Sequence, residues 1–426
     1  MTSLESSSLF AKWTEERHLP SLGTNDGAPP IAFQRWHRFK EAFPPELIEK
    51  AVSQSSIRVN SCVDPFGGSG TTALACQMLG IDSVTVEVNP FLADVIRAKL
   101  TRYDLDLLIA ALAEVRRNAL KRQTDPLEYF GNVPATFLER AGSSRWLFNR
   151  DIAENLAAIL VSIEGLEYPD ARRLFRVVTG GLLAEVSNVT VSGKGRRYRR
   201  NWAAASPVPE QVHNAFSERA ERAIRDIQRF AERPKTSWAV MQGDARKVQP
   251  EGPFDLAVFS PPYPNSFDYT DVYNLELWML GYLQAGDDNR VLRTSTLASH
   301  VQLMRDYPEM PPGSPTLVAV VGALEHVKKS LWNQWIPKMI GGYFADLLVV
   351  VRRVMSQMAS GAQCWVVIGD SRYAGVNVPA GRILVELADA EGWTVKGSDP
   401  IRHMKSSAQQ GWRPELAESL VVLQKA

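Results

Sequence analysis

The chain has 426 residues, enough for two or three domains' worth of core, and its formal net charge is +1. This balance excludes a globally basic nucleic-acid-binding protein, so any contact with a polyanion must be a local patch. No apolar run approaches the length of a membrane span, and the N-terminus lacks the order of a signal peptide. The three cysteines, Cys62, Cys76 and Cys364, are scattered, which indicates a reducing compartment. We therefore expect a cytoplasmic globular protein without a membrane partner.

The first hundred residues predict an arm followed by a βαβ unit. Residues 1–30 are polar and have Gly and Pro near their end, which is typical of an N-terminal arm or loop. In 31–100, a helix at 44–56 precedes a buried strand at 57–66, a glycine turn and an apolar helix. A second strand at 83–88 and a second helix complete the unit.

The remaining chain alternates between helical insertions and strands. Residues 101–235 are mostly helical in period, whereas 236–279 contain two further strands. A less regular second insertion at 280–340 precedes a helix, a strand, a helix and two closing strands in 341–426. The pattern predicts one doubly wound, mostly parallel α/β sheet that carries a large helical insertion and a smaller one.

A glycine-rich turn, "DPFGGSGTT" at residues 64–72, joins the first strand to the next helix. It lacks the Gly-Lys-[Ser/Thr] of a phosphate loop, so a phosphate would have no lysine. Glu87 ends the next strand, where an acidic residue can receive ribose hydroxyls, and Asp244 ends a third strand, where a carboxylate can accept from an adenine amine. A structural turn and helix-capping acids are the alternative. Three such features at successive strand ends favour a nucleoside without phosphates, and hence S-adenosylmethionine.

The stretch "SPPY", residues 260–263, follows another apolar strand. Pro261 and Pro262 have no N–H group, so the turn offers mainly acceptors, among them Ser260 and the carbonyl of Pro261. Acceptors suit a substrate amine, because they hold its hydrogens while the nitrogen lone pair points at a methyl donor. Tyr263 offers a flat face on which an extruded base can stack. The alternative is a proline-rich strand exit with a surface tyrosine.

These motifs together resemble those of the amino-group DNA methyltransferases. "DPFGGSGTT" is similar to the family's cofactor loop, residues 35–52 to the segment that precedes it, and "SPPY" to the serine form typical of N4-cytosine enzymes. The resemblance implies a seven-stranded Rossmann-like sheet, S-adenosylmethionine as cofactor, and direct transfer to cytosine N4 in double-stranded DNA after base flipping. The implied cofactor residues are Asp64, Pro65, Phe66, Gly68, Gly70, Thr71, Thr72, Glu87 and Asp244. The implied catalytic residues are Ser260, Pro261, Pro262 and Tyr263.

Other activities stay open at this point. N6-adenine DNA methylation and RNA or tRNA amino-methylation use the same chemistry, and a silent binding protein would be expected to lose Ser260, Tyr263 or the glycines. A C5-cytosine methyltransferase is excluded because none of the cysteines is placed as its nucleophile. No metal constellation is visible among the six histidines. A restriction or phage-defence partner also stays open.

The DNA-reading part is expected in 101–235, in 280–340, or in both, because little follows the closing strands. The densest basic stretch, "SGKGRRYRRNW" at 192–202, predicts a flexible DNA-binding loop, with a solvated loop as the alternative. In the second insertion, "WNQWIPK" at 332–338 has indole and amide groups that can read base edges, although both tryptophans could equally pack in the core. The expected DNA-binding residues are Lys194, Arg196, Arg197, Tyr198, Arg199 and Arg200.

Overall fold

A seven-stranded sheet organises the described part of the chain. The structure is a computed structural model, and it describes residues 3–17, 19, 22–23, 31–192, 195–203, 208–404 and 416–425. The strands are β1 (Ser61–Asp64), β2 (Asp82–Glu87), β3 (Val189–Ser192), β4 (Gly195–Tyr198), β5 (Trp238–Gln242), β6 (Phe254–Phe259), β7 (Met358–Gly369), β8 (Ser371–Tyr373), β9 (Val376–Val378), β10 (Thr394–Met404) and β11 (Leu416–Gln424). The large sheet has the order β10-β11-β7-β6-β1-β2-β5, and β3-β4 and β8-β9 form two small hairpins.

Helices cover both faces of this sheet and form the two insertions. They are α1 (Ser3–Thr14), α2 (Glu46–Gln54), α3 (Thr71–Leu79), α4 (Pro90–Leu100), α5 (Leu105–Ala119), α6 (Pro126–Tyr129), α7 (Arg150–Glu164), α8 (Pro169–Val186), α9 (Pro209–Arg229), α10 (Tyr269–Val272), α11 (Asn274–Met279), α12 (Gly286–Thr294), α13 (Pro315–His326), α14 (Ile336–Ser356) and α15 (Ala380–Ala390). Among the described helices, none is both long and apolar enough to cross a membrane.

The strand order places a crevice beside β1. Strand β1 is parallel to β2 on one side and to β6 on the other, and β6 is parallel to β7. Strand β11 lies between β7 and β10 and is antiparallel to both. The carboxyl ends of β1 and β6 therefore flank the point where the chain switches direction across the sheet, which is where open α/β sheets bind ligands. The predicted doubly wound, mostly parallel seven-stranded fold is confirmed.

The N-terminal arm predicted at 1–30 is wrong where the structure describes it. Residues Ser3–Thr14 form helix α1, and its Phe10 and Trp13 are buried. The Trp13 indole donates to the carbonyl oxygen of Ala32 at 3.0 Å. Phe10 and Trp13 are three positions apart and therefore lie on the same face of the helix, which packs on the core. The polar residues around them made this apolar face difficult to recognise in the sequence.

The large helical insertion shares its core with the N-terminal segment that contains β1, β2 and α4. Asp226 of α9 is buried and accepts from the Phe33 amide at 3.0 Å and the Trp36 indole at 2.9 Å. Gly180 of α8 lies so close to Phe91 of α4 that an added Cβ would meet the ring at 2.6 Å. These contacts make α5–α9 an integral layer of the fold.

The second insertion is fastened to the opposite half of the sheet. Ser314 caps α13, and its hydroxyl donates to the Glu386 carboxylate of α15 at 2.6 Å. Helix α14 then runs back, so that the Phe254 amide at the start of β6 donates to the Gln357 carbonyl at 2.8 Å. The beginning of α14 consequently points toward the carboxyl ends of the strands.

Candidate active site at the carboxyl ends of β1, β2 and β6

A cavity of about 530 Å³ opens at the carboxyl ends of the central strands. This is an ordinary size for a small-molecule site. Its lining brings together almost all the predicted cofactor and catalytic residues: Asp64, Pro65, Phe66, Gly68, Thr71, Thr72, Glu87, Asp244, Ser260, Pro261, Pro262 and Tyr263. Gly70 differs, because its α-carbon faces Ile96, where an added Cβ would meet a side-chain carbon at 2.9 Å. Its φ of +80° instead allows the turn into α3.

Two side chains, those of Phe39 and Glu87, hold the glycine loop in the lining of the cavity. Gly68 has φ of +51°, and a Cβ added there would meet the Phe39 ring at 2.9 Å. The Gly68 amide donates to Glu87 Oε2 at 2.7 Å, which ties the loop to the end of β2. Phe39 in turn stacks on Tyr273, with ring centroids 5.7 Å apart and planes 6° from parallel. The loop is thus held between a carboxylate and an aromatic stack.

Two carboxylates at neighbouring strand ends dominate the electrostatics of the site. Asp64 ends β1 and Glu87 ends β2, and both are buried. Burial raises the pKa of each carboxyl to about 7, against hydrogen bonds that lower it: from the Phe66 amide to Asp64, and from the Asn89 and Gly68 amides to Glu87. These acceptors suit hydroxyl or ammonium groups and disfavour phosphate.

The carboxylate of Asp244 already has hydrogen-bond partners within the protein, which the sequence did not indicate. Its carboxylate accepts from the Arg246 guanidinium at 2.8 Å and from the Arg246 amide at 2.9 Å. Arg246 also pairs with Asp346 of α14 at 2.9 Å. Asp244 lines the cavity, but its carboxylate is held by a cation, so that a contact with adenine stays a prediction.

A buried lysine, Lys99, is hydrogen-bonded to the glycine loop. No sequence motif indicated this contact. Lys99 of α4 is fully buried, and its ammonium group donates to the Ser69 carbonyl at 2.6 Å and to Gln34 Oε1 at 2.9 Å. Gln34 continues the network to the Thr71 hydroxyl at 3.2 Å. Burial lowers the pKa of Lys99 to about 7. The periodicity of α4 shows only that Lys99 is a charged residue on an otherwise apolar helix face.

The turn formed by residues 260–263 is connected to β11, the last strand along the chain. Ser260 follows β6 directly, and its hydroxyl donates to the Tyr263 hydroxyl at 3.3 Å. Tyr263 donates to Glu418 Oε1 of β11 at 2.5 Å. The Tyr263 ring is only 8% exposed, so a small part of it reaches the cavity. Glu418 was not predicted, because nothing in the sequence pairs residues 155 positions apart.

The segment after the turn is held by an ion pair with the second insertion. Asp268 caps α10 and lies 2.5 Å from the Arg293 guanidinium of α12. The Ser266 amide donates to the Ser299 carbonyl at 2.9 Å. These contacts bring residues from 265–270 and 295–299 together in the lining of the cavity.

The predicted flexible basic loop is instead a hairpin, β3-β4, in its described part. Arg199 donates to the main-chain carbonyls of Ala184, Glu185 and Ser187 at the end of α8, which is a structural contact. Arg196 lies 3.8 Å from Asp271 and stacks on Phe137. The others differ: Tyr198 packs on Trp202, Arg197 and Arg200 are exposed, and Lys194 lies outside the described residues.

The two tryptophans of the second insertion are at the surface, not in the core. Trp332 is 63% exposed and Trp335 is 41% exposed. The ammonium group of Lys338 lies 5.2 Å from the centre of the Trp335 ring. Among the described residues, no cluster of side chains is arranged to hold a metal ion.

Comparison with known proteins gives relatives along nearly the whole chain. A family model for N6 and N4 methyltransferases, described as DNA methylase, matches residues 7–98. The Type II methyltransferase M.BsoBI of Geobacillus stearothermophilus is 22% identical over 92% of this chain and 86% of its own length. The Type II methyltransferase M.AvaI of a Nostoc species is 23% identical over 89% of this chain and 82% of its own. M.MjaII of Methanocaldococcus jannaschii is 33% identical, over 18% of this chain and 15% of its own.

Among solved structures, an rRNA methyltransferase, aviRa of Streptomyces viridochromogenes, aligns over 97% of this chain and 92% of its own with 10% identity. The TM-score is 0.30, and this likeness carries no weight in the assignment.

The sheet order and the cavity define a Rossmann-like α/β domain with a ligand site at the carboxyl ends of its strands. The chain is thus similar to the amino-group DNA methyltransferases over most of its length, and S-adenosylmethionine is its cofactor. The cavity fits this cofactor, because Asp64 and Glu87 offer carboxylate acceptors beside a glycine loop that contains no lysine.

Proposed function

We propose that this protein is a site-specific DNA methyltransferase that modifies the N4 amine of cytosine. The observation that carries the proposal is the position of Ser260. It follows the end of β6 and lines the same cavity as Gly68 and Glu87. A hydroxyl at this position, followed by Pro261 and Pro262, offers an acceptor-rich edge to an amine.

The proposed cofactor contacts follow from the ends of β1, β2 and β5. Glu87 would receive ribose hydroxyls, Asp64 and the loop after it would face the methionine part, and Asp244 would lie near the adenine. Bound here, S-adenosylmethionine supplies an electrophilic methyl group. Phe66 and Gly68 line the same cavity as Ser260, and the centre of the Phe66 ring lies 5.7 Å from that of Phe259, the residue before Ser260. This supports an arrangement with the methyl group toward the catalytic turn.

The proposed catalytic step relies on acceptors. Ser260 Oγ and the Pro261 carbonyl would hold the two hydrogens of the target amine. An amine held in this way becomes more tetrahedral, so its lone pair is no longer fully delocalised into the ring. The nitrogen would form one bond to the methyl carbon while the carbon–sulfur bond of the cofactor breaks, so that the cofactor leaves as a neutral thioether, and the nitrogen would release one proton to solvent. Base flipping is required because the amine is paired within a duplex, and Tyr263 would contact the flipped base.

DNA would lie across the cavity between the two insertions. On one side, the β3-β4 hairpin is joined to α10 through Arg196 and Asp271, and it carries the exposed Arg197 and Arg200. Such arginines suit phosphate contacts. The Lys40 ammonium group, at the rim of the cavity, donates to Val191 of this hairpin at 3.2 Å.

On the other side, the exposed tryptophans stand beyond the strand ends. Asp346 of α14 accepts from the Ala298 amide at 2.9 Å and pairs with Arg246, so it lies level with the cavity wall. The start of α14 at Ile336 is ten residues earlier in the sequence, which is about 15 Å further along the helix axis. Trp332 and Trp335 come just before it. Exposed indoles next to Lys338 favour contact with DNA over packing.

The relatives named as Type II methyltransferases support a modification role beside a restriction enzyme, which we include in the proposal. Nucleoside mass spectrometry of DNA and RNA from cells expressing the wild type and Ser260→Ala tests it. We expect N4-methylcytosine in wild-type DNA and a loss of about 100-fold or more in the variant, with cofactor binding retained. N6-methyladenine would overturn the target base, and methylation of RNA alone would overturn the substrate class.

A further inference from the structure

A chain of three hydroxyl and carboxylate groups runs from the catalytic turn into the sheet. The Ser260 hydroxyl donates to the Tyr263 hydroxyl at 3.3 Å, and the Tyr263 hydroxyl donates to Glu418 Oε1 at 2.5 Å. Glu418 is fully buried on β11, where it is paired with Gly369 of β7 and Arg402 of β10. Gly23 packs on Glu418 so closely that an added Cβ would meet Glu418 Oε2 at 2.2 Å.

The direction of the donors along this chain is set by its last member. An ionised carboxylate only accepts hydrogen bonds, so Tyr263 must donate to it. The Tyr263 oxygen then has lone pairs to offer, and the Ser260 hydroxyl hydrogen is directed toward it. Once that hydrogen is committed, the remaining lone pairs of Ser260 Oγ are the groups that a ligand in the cavity meets.

We propose that Glu418 is a positioning residue that makes Ser260 an acceptor for the target amine, acting through Tyr263. The inference rests on the proposed function, since it names the group that gives the catalytic serine its polarity. It assigns a role in methyl transfer to a residue on β11, outside the turn that contacts the substrate.

A neighbouring tyrosine, Tyr373, shows that a buried tyrosine hydroxyl in this fold can find a hydrogen-bond acceptor without a buried carboxylate. The Tyr373 hydroxyl donates to the main-chain carbonyl of Pro264 at 2.9 Å, which requires no buried charge. A buried carboxylate loses much of its hydration, and this loss is unfavourable unless its hydrogen bonds offset it. The use of Glu418 at Tyr263 therefore points to a requirement for an obligate acceptor.

The test compares single-turnover methyl transfer, KM and thermal unfolding for the wild type, Glu418→Gln, Tyr263→Phe and the double variant. Glutamine keeps the size of the side chain but can also donate, so it removes the fixed direction. We expect kcat to fall about 10- to 100-fold in Glu418→Gln, while KM for DNA and cofactor stays within about 2-fold. We expect the double variant to be no slower than Tyr263→Phe, because both changes break one chain.

A matched control is a second tyrosine–carboxylate pair outside the cavity. The Tyr282 hydroxyl donates to Asp94 Oδ2 at 2.7 Å, and Asp94→Asn should leave kcat within about 2-fold of wild type. A wild-type kcat in Glu418→Gln, or in Tyr263→Phe should the first variant fail to fold, would overturn this inference alone. Multiplying losses in the double variant would also overturn it. A wild type that methylates no DNA would instead overturn the proposed function.

Discussion

The Thr72 hydroxyl donates to the carbonyl oxygen of Val258 at 3.2 Å, and this bond joins the two halves of the site. Thr72 lies in the first turn of α3, directly after the glycine loop, and Val258 lies two residues before Ser260. The glycine loop and the turn at residues 260–263 are therefore held at a fixed separation by the neighbouring strands β1 and β6. Four predictions concern this site and the surfaces around it.

The first prediction concerns Gly68. In Gly68→Ala, the positive φ and the Cβ contact at 2.9 Å with Phe39 force the loop or the ring to move. We expect cofactor affinity to fall about 10-fold or more, because the displaced loop or ring no longer matches the cofactor. Isothermal titration with S-adenosylmethionine measures the change.

Gly142→Ala is the matched control for this variant. Gly142 has φ of +79°, but an added Cβ has no heavy atom within 4 Å. It therefore shares the backbone strain without the steric contact at the cavity. Equal losses of affinity in the two variants would contradict the proposed closeness of the loop to the cofactor.

The second prediction concerns pH. Burial raises the pKa of Glu87 from 4.5 to about 7, so the folded protein without cofactor keeps a proton that the unfolded chain releases between these values. The stabilisation that this proton provides is complete below pH 4.5 and is lost as the pH rises through 7. Relative to Glu87→Gln, the wild type should lose about 2 to 3 kcal/mol of unfolding free energy over this range.

Urea unfolding of the two proteins at a series of pH values checks this expectation. Using the difference between them cancels the contributions of other buried groups, such as Lys99, whose pKa is lowered to about 7. Stability curves that run parallel from pH 4.5 to pH 8 would show that Glu87 is ionised in the folded protein throughout.

The third prediction separates two arginines of the hairpin. Arg199→Ala removes three hydrogen bonds to the end of α8 and should lower the unfolding free energy by about 1 to 3 kcal/mol. Arg197→Ala removes an exposed cation and should leave stability unchanged while weakening DNA binding. The slope of the logarithm of its DNA-binding constant against the logarithm of the salt concentration should be smaller by about 0.9, the value for one phosphate contact. If Arg197→Ala bound DNA normally, the hairpin would not contact the backbone.

The fourth prediction concerns the surface tryptophans. Because Trp332 is 63% exposed, Trp332→Ala should leave the melting temperature unchanged. Loss of one aromatic contact should reduce DNA affinity about 10-fold, measured by fluorescence anisotropy. Leu120→Ala is the control, since Leu120 is 71% exposed at the end of α5. Equal DNA affinity in Trp332→Ala and wild type would remove this surface from the interface.

The central sheet and the cofactor side of the cavity could be predicted because their signals are local. The strand, glycine turn and helix around Gly68 lie within one short stretch, and Glu87 marks the end of the next strand. The position of Ser260 after an apolar strand placed it at the same edge of the sheet. Each of these interpretations required only the periodicity of neighbouring residues.

The missed features depend on contacts between distant segments. Glu418 meets Tyr263 across 155 residues, and Lys99 meets Ser69 across 30. The hydrogen bonds of Arg199 to main-chain carbonyls could not be predicted from the sequence, and its contact with DNA stays a prediction. The hairpin was predicted as a loop because glycine and arginine are weak strand formers, whereas its register is fixed by packing against α8 and α10.

On the proposal that the large insertion contacts DNA, its shared core bears on how this protein could acquire a new target sequence. Phe91 against Gly180, and Asp226 against Phe33 and Trp36, join the insertion to the segments that build the cofactor site. Exchanging the insertion with that of a relative would cut through these contacts and leave buried groups unmatched. Changes of specificity should therefore arise by stepwise surface substitution on this scaffold, rather than by recombination of whole modules.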